Sequence, residues 1–176
     1  MEDKSYKEYL EHITTFIFDV DGVLTDGIVN INSDGELLRS MNIKDGYALK
    51  TALNAGFHIC IISGGSNVGV KMRLEGLGIK DIFLGAHNKM EQFEEFLSRR
   101  DIKAENVLYM GDDIPDIPVM KRVGLPTCPQ DAVSEVKSIS KYVSHKHGGR
   151  GAVRDVIEQV MKVQDKWDGN FSAKND

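Results

Sequence analysis

Short apolar runs alternate along this chain with longer segments in which apolar residues recur at spacings of three and four. The runs at 14–18, 57–62, 81–84 and 107–110, with short pieces near Leu125 and at Tyr142 and Val143, predict strands, each bounded by polar or glycine positions. The helical spacing predicts helices over 46–54, 66–75, 89–99, 117–122, 132–136 and 152–163, with Gly56 and Gly78 where left-handed C-terminal caps belong. Strand, turn and helix repeated in this order predict an α/β fold with a mainly parallel sheet and helices on both faces.

One segment breaks the rhythm. Residues 27–42 read as an apolar run, then Asn32-Ser33-Asp34-Gly35, then Glu36-Leu37-Leu38-Arg39. Asp-Gly between two such runs predicts a β-hairpin. Because it follows the first strand directly, the hairpin is expected to project from the carboxyl edge of the sheet, where open α/β folds place their ligands. It is either a decoration, or a flap or oligomer contact beside a site.

Composition narrows the picture. With 176 residues, 41% of them hydrophobic, one domain over 1–166 with a sizeable core is expected, followed by a loose tail at 167–176. A formal charge of -5 and a pI near 5.6, without a long basic block, exclude a general affinity for nucleic acid or anionic membranes. Any anionic ligand must then be held locally. Cys60, in an apolar run, and Cys128, beside prolines, read as reduced packed thiols. Residues 1–12 lack the apolar core of a signal peptide, and no stretch has the length to span a bilayer, so a cytoplasmic protein is expected.

The chemistry concentrates at strand ends. Phe16-Ile-Phe-Asp19-Val-Asp21-Gly22 carries a hydrophobic strand straight into two carboxylates. Such groups are costly to desolvate unless a cation neutralises them, and a hard divalent ion would settle both. Taken alone, Asp21-Gly22 is equally a turn and Asp19 a cap. Met110-Gly111-Asp112-Asp113-Ile-Pro-Asp116 follows another strand. In a parallel sheet the two acidic clusters lie on one edge and can converge on one cation, although Asp113 by itself reads as a helix N-cap. Ser63-Gly64-Gly65 ends a third strand and Asn88-Lys89 opens a helix after a fourth. A hydroxyl with neighbouring amides holds phosphate oxygens, and an ammonium neutralises them.

Asp19-Val-Asp21-Gly22, Ser63-Gly64, Lys89 and Gly111-Asp112-Asp113-x-x-Asp116 together resemble the four motifs of the haloacid dehalogenase superfamily phosphatases. The resemblance implies a Rossmann-like three-layer sandwich, here without a cap domain because neither inter-motif gap has room for one. It implies Asp19 as nucleophile, Asp21 as general acid and base, and Ser63 and Lys89 as phosphate contacts. It further implies Mg²⁺ held by Asp19, the Asp21 carbonyl and Asp112, with Asp113 and Asp116 in support. An uncapped site is open, suiting either a macromolecular substrate or closure by a neighbouring subunit.

Asn42-Ile43-Lys44-Asp45-Gly46-Tyr47 and Gly148-Gly149-Arg150-Gly151 make the chain similar, over nearly its whole length, to the 3-deoxy-D-manno-octulosonate 8-phosphate phosphatases. Those are homotetramers that make a sugar acid for lipopolysaccharide, with hairpin and C-terminal segments closing adjacent sites. The similarity implies substrate contacts from Asp21, Asn42, Ile43, Lys44, Asp45, Gly46, Lys50, Ser63, Gly64, Arg73, Lys89 and Arg150. A substrate bearing both phosphate and carboxylate needs more than one cation, and Lys50, Arg73 and Arg150 are available.

The chain departs from that pattern at Gly65, where the family commonly has Arg. The missing contact is expected to be lost or moved to Lys71 or Arg73. Gly148-Gly149-Arg150-Gly151 also reads as a linker, and His145 and His147 as a solvated pair rather than metal ligands. The rival substrate is a nine-carbon 3-deoxy sugar acid 9-phosphate. The rival of another class is a non-catalytic phosphate- or Mg²⁺-binding protein, against which both Asp19 and Asp21 speak.

Overall fold

In the computed structural model of this chain, residues 6–167 are described. Helix α1, Tyr6–Leu10, precedes strand β1, Thr15–Phe18. All four residues of β1 are buried; Phe16 and Phe18 join one hydrophobic cluster and Ile17 another, as the two-residue strand period requires. The chain then forms the hairpin of β2 (Asn30–Ile31) and β3 (Leu37–Leu38), helix α2 (Ile43–Asn54), β4 (His58–Ser63), α3 (Val68–Gly76), β5 (Asp81–Leu84) and α4 (Lys89–Arg100). It closes with β6 (Val107–Met110), α5 (Ile117–Met120), β7 (Leu125–Cys128), α6 (Ser134–Ile139), β8 (Tyr142–Val143) and α7 (Ala152–Val163).

The main sheet has the order β5-β4-β1-β6-β7-β8, with every pairing parallel. Residues of α2, α3 and α7 pack with Phe16 and Phe18 on one face, and residues of α4, α5 and α6 pack with Ile17 on the other. The three-layer α/β expectation is met. In α7 the apolar stripe Val153, Val156, Ile157 and Val160 is fully buried, at roughly 1.5–3 kcal/mol per side chain removed from water. No described helix is long and apolar enough to cross a membrane.

Caps set the boundaries that periodicity misjudges. Helix α2 starts at Ile43, earlier than expected, because the Asn42 side chain accepts from the Lys44 amide at 2.8 Å. Helix α3 starts later, at Val68, because Asn67 accepts from the Val70 amide at 3.0 Å. The hairpin is present but short: Asn30 pairs with Leu38 and Ile31 with Leu37, while Asn32 Oδ1 accepts from the amides of Asp34 and Glu36 to shape the turn. Helix α1 is not anticipated by the sequence. Trp167, placed in the expected tail, packs edge-on to Tyr47 with ring centroids 6.3 Å apart; residues 168–176 lie outside the described residues.

From β1 the chain moves outward to β4 and β5, and from β6 outward the other way to β7 and β8. The segments leaving β1 and β6 therefore diverge toward opposite faces and leave a crevice beyond the carboxyl ends of these strands. The two segments begin side by side, since the Asp19 amide donates to the Met110 carbonyl at 3.2 Å.

Candidate active site

Four strand ends deliver one cluster into this crevice. Asp19 follows β1, Ser63 ends β4, Lys89 opens α4 after β5, and Asp112 and Asp116 follow β6. They line an open cavity of about 450 Å³ together with Asp21, Gly22, Gly64, Gly65 and Asp113, a volume suited to a small ligand. The acidic pairs, hydroxyl and lysine predicted to converge do so, although up to 97 residues separate Asp19 from Asp116.

Lys89 is the electrostatic centre. Its Nζ donates to Asp19 Oδ2 at 2.7 Å and Asp116 Oδ1 at 2.6 Å, and only 6% of its side chain is exposed. Burial works to lower the Lys89 pKa, but the charges of Asp19 and Asp116 outweigh it and hold the ammonium. Asp116 is fully engaged: it also accepts from the Tyr109 hydroxyl at 2.6 Å and from the amides of Asp112 and Asp113. Asp113 accepts from the Ile114 amide at 2.8 Å and forms a capping box with Asp116, the cap that its position suggests.

Asp19 and Asp112 are less well settled. Burial, then the Asp116 charge, push the Asp19 pKa up to about 6 against the pull of Lys89. Burial, then the charges of Asp19, Asp116 and Asp113, push Asp112 up to about 8. Asp112 Oδ1 is buried without a hydrogen-bond partner among the described residues, and oxygens of Asp19, Asp112 and Asp116 all lie within 4.8 Å of one another. An excess of buried negative charge around an orphaned carboxylate oxygen fits a hard divalent cation bound through oxygen. Asp116 is fully buried with both oxygens committed, whereas Asp112 keeps an orphaned oxygen and Asp19, although it accepts from Lys89 and Val20, reaches the cavity surface, so these two are the carboxylates placed to hold it.

Gly22 makes this approach possible. Its φ is +83°, and a Cβ there would overlap the Asp112 carboxylate. Gly22→Ala is expected to cost about 1–3 kcal/mol of stability from backbone strain and displaced carboxylate. It is also expected to abolish the rise in thermal midpoint on adding Mg²⁺, as scanning fluorimetry with and without the ion would read.

The other predicted residues divide into groups. Ser63 Oγ, buried, accepts from the Gly65 amide at 3.3 Å, and Gly64 lines the cavity. Asn42, Ile43, Lys44 and Arg150 instead line a second groove of about 1180 Å³, whose wall includes Asp26, next in the chain to Gly27 of the acidic cavity. Asp45 faces neither: it is buried and accepts from the amides of Gly151 at 3.3 Å and Arg154 at 2.8 Å, bonding α2 to the start of α7. Gly46 leaves room for Arg73, whose Nη2 would lie 2.8 Å from a Cβ at that position, and Lys50 and Arg73 line neither cavity.

Two expectations need correction. The 148–151 segment is no linker, because Gly148 packs so closely on the Gly22 carbonyl that a side chain would overlap it, and the Gly149 amide donates to the Val23 carbonyl at 2.9 Å. Nor does Lys71 compensate for Gly65: it is exposed and faces Glu75 at 3.9 Å. The cation at that place is Arg39, unanticipated from sequence, whose Nε and Nη2 donate to Asp21 Oδ1 and Oδ2 at 2.6 and 3.1 Å. His145 and His147 are exposed, each near a single carboxylate at 3.7 and 3.9 Å, as a solvated pair would be.

Comparisons with known proteins agree with this geometry. The haloacid dehalogenase-like hydrolase family matches residues 78–157. The chain is 40% identical over 158 residues to the 3-deoxy-D-manno-octulosonate 8-phosphate phosphatase KdsC of Escherichia coli strain K12, covering 90% of this chain and 84% of that protein. It superposes on the corresponding phosphatase of Yersinia pestis with a TM-score of 0.92 at 34% identity, covering 94% of this chain and 90% of that one. The enzyme of Moraxella catarrhalis, in complex with magnesium, phosphate and KDO, gives a TM-score of 0.90 at 30% identity, covering 95% and 96% of the two chains. Fold, acidic cluster and sequence similarity along nearly the whole chain place it in the 3-deoxy-D-manno-octulosonate 8-phosphate phosphatase family of haloacid dehalogenase-like hydrolases, to which it belongs.

Proposed function

We propose that this chain hydrolyses 3-deoxy-D-manno-octulosonate 8-phosphate to the free sugar acid and phosphate through an aspartyl-phosphate on Asp19, as a cytoplasmic step in lipopolysaccharide precursor synthesis. The observation that carries this reading is the convergence of Asp19, Asp112 and Lys89 at one mouth of the sheet, with Asp112 Oδ1 lacking a partner among the described residues. Asp19, Asp112 and the Asp21 carbonyl would hold Mg²⁺, which when bound neutralises phosphate charge that would repel an attacking carboxylate.

Asp19 is the nucleophile. Its Oδ1 accepts from the Val20 amide at 2.6 Å and its Oδ2 from Lys89, which fixes the carboxylate at the cavity floor. Attack by a carboxylate oxygen on phosphorus breaks the bond to the sugar oxygen. Lys89 and Ser63 hold phosphate oxygens as charge redistributes among them. Asp21, two residues on, protonates the departing sugar alkoxide and then takes a proton from the water that releases phosphate and regenerates Asp19. Tyr109 and Asp116 keep Lys89 in place from behind.

The sugar acid extends from this cavity toward the second groove, where Asn42, Ile43, Lys44 and Arg150 meet it. Asp45 acts through the junction it builds between α2 and α7, and Gly46 leaves room beside it for Arg73. The hairpin exposes Ile28, Ile31 and Leu38 by 61%, 72% and 51%. Apolar side chains this exposed on a projecting hairpin support burial by further copies of the chain, in a homotetramer that closes the uncapped site.

A substrate panel tests the reading. Turnover of the eight-carbon 8-phosphate is expected to exceed that of the nine-carbon 9-phosphate by about 10-fold or more in kcat/KM, one misplaced carbon being worth roughly 1–3 kcal/mol. Preference for the longer substrate overturns the assignment.

A further inference from the structure

The end of β4 and the loop after it bring Ser63, Gly64 and Gly65 to the cavity and no charged side chain. The hairpin supplies one from the opposite direction. Arg39, just beyond β3, grips both oxygens of Asp21 in a fork, and only 9% of its side chain is exposed although it sits at the base of an exposed hairpin. Its remaining Nη1 donates to the Leu37 carbonyl at 3.2 Å, and the same carbonyl accepts from Asn67 Nδ2 at 3.0 Å. Asn67 is itself the cap of α3, so the guanidinium is braced against a rigid helix start. A Cβ at Gly65 would lie 3.0 Å from Asp21 Oδ2 and 3.5 Å from Arg39 Nη2. A side chain on this loop and the Arg39–Asp21 fork would therefore compete for one space.

We infer that Arg39 is a positioning residue for Asp21, and that Gly65 is the gap that admits it. This rests on the assignment of Asp21 as the general acid and base. A carboxylate on a short side chain with 36% exposure has several rotamers open to it. A planar fork with two parallel donors selects one of them, which a point charge does not do. Each carboxylate oxygen keeps a second lone pair, so the grip leaves a site for the proton that moves to or from substrate. The interaction also ties the hairpin to the chemistry, so that a displaced hairpin loosens the acid.

Steady-state kinetics of Arg39→Ala, Arg39→Lys and Asp21→Asn on the full chain with Mg²⁺ decide the matter, with circular dichroism confirming the fold of each. Loss of positioning in Arg39→Ala is expected to lower kcat by about 10- to 100-fold, a large part of a general acid's contribution, with KM within about 3-fold of the parent. Arg39→Lys is expected to recover part of kcat and to stay below the parent. Turnover of Arg39→Ala within about 2-fold of the parent overturns the inference, as does a loss carried by KM alone, which would mark a substrate contact. Full turnover in Asp21→Asn would remove the assignment beneath it, a failure separable from those of the Arg39 variants.

Discussion

Asp19→Asn is expected to lower phosphate release by at least about 10⁴-fold, because an amide neither attacks phosphorus nor forms the acyl phosphate, and nothing else at the cavity floor replaces it. The fold should survive. Asp19 is buried, its pKa is raised by that burial and by Asp116, and a neutral isostere relieves both penalties. The amide oxygen still accepts from Lys89, while the NH2 then faces the Val20 amide and that hydrogen bond is lost. With gains and losses offsetting, the variant should unfold within a few degrees of the parental temperature when no divalent ion is present. Stopped-assay phosphate release and a thermal melt on the same preparation check both halves.

Chelating divalent cations should abolish activity and also change how stability depends on pH. Without a cation, the folded protein holds a proton on Asp112 up to about pH 8 and on Asp19 up to about pH 6. In the unfolded chain both release it near the ordinary carboxylate value of about 4. The folded state thus binds more protons than the unfolded state between these limits, and stability falls as pH rises from about 4 to about 8. A cation displaces those protons and takes over their role. Saturating Mg²⁺ should raise the thermal midpoint by several degrees at pH 8, at about 2–4 °C per kcal/mol for a chain of this size, and by much less at pH 5. Asp112→Asn should flatten both the pH slope and the Mg²⁺ response. A Mg²⁺ effect of equal size at the two pH values would contradict the charge argument.

The parts of the fold legible in the sequence were those that local pattern determines. Strands β1, β4, β5 and β6 are near-continuous apolar runs because both their faces are covered. The acidic groups stood out because carboxylates at the ends of such runs need a counter-charge. Helix α1 was not legible. Of its five residues only Leu10 is buried, and Tyr6 is held by stacking on Tyr142 at 4.5 Å and a hydrogen bond to Gln159, partners more than 130 residues away.

Arg39 escaped for a similar reason. At the end of an exposed hairpin a lone Arg has no local pattern to mark it, and its meaning depends on its fork onto Asp21, 18 residues back in the chain. Asp45 was expected among the substrate contacts, yet it is buried and its oxygens accept from the amides of Gly151 and Arg154 at the start of α7, a contact no local pattern encodes. The same holds for the glycines at 148 and 149, which look like a flexible linker until the close packing on residues 22–26 is seen. Strand ends can be read from sequence; what meets across them depends on topology.

The proposed reaction requires Asp19 to become phosphorylated during turnover. Acid quenching within the first turnover, followed by borohydride reduction and peptide mass spectrometry, reads this directly, since reduction of an acyl phosphate leaves homoserine. Homoserine at position 19, dependent on Mg²⁺ and absent from Asp19→Asn, is the predicted result. Homoserine at another carboxylate, or none in a sample caught at full turnover, would contradict it.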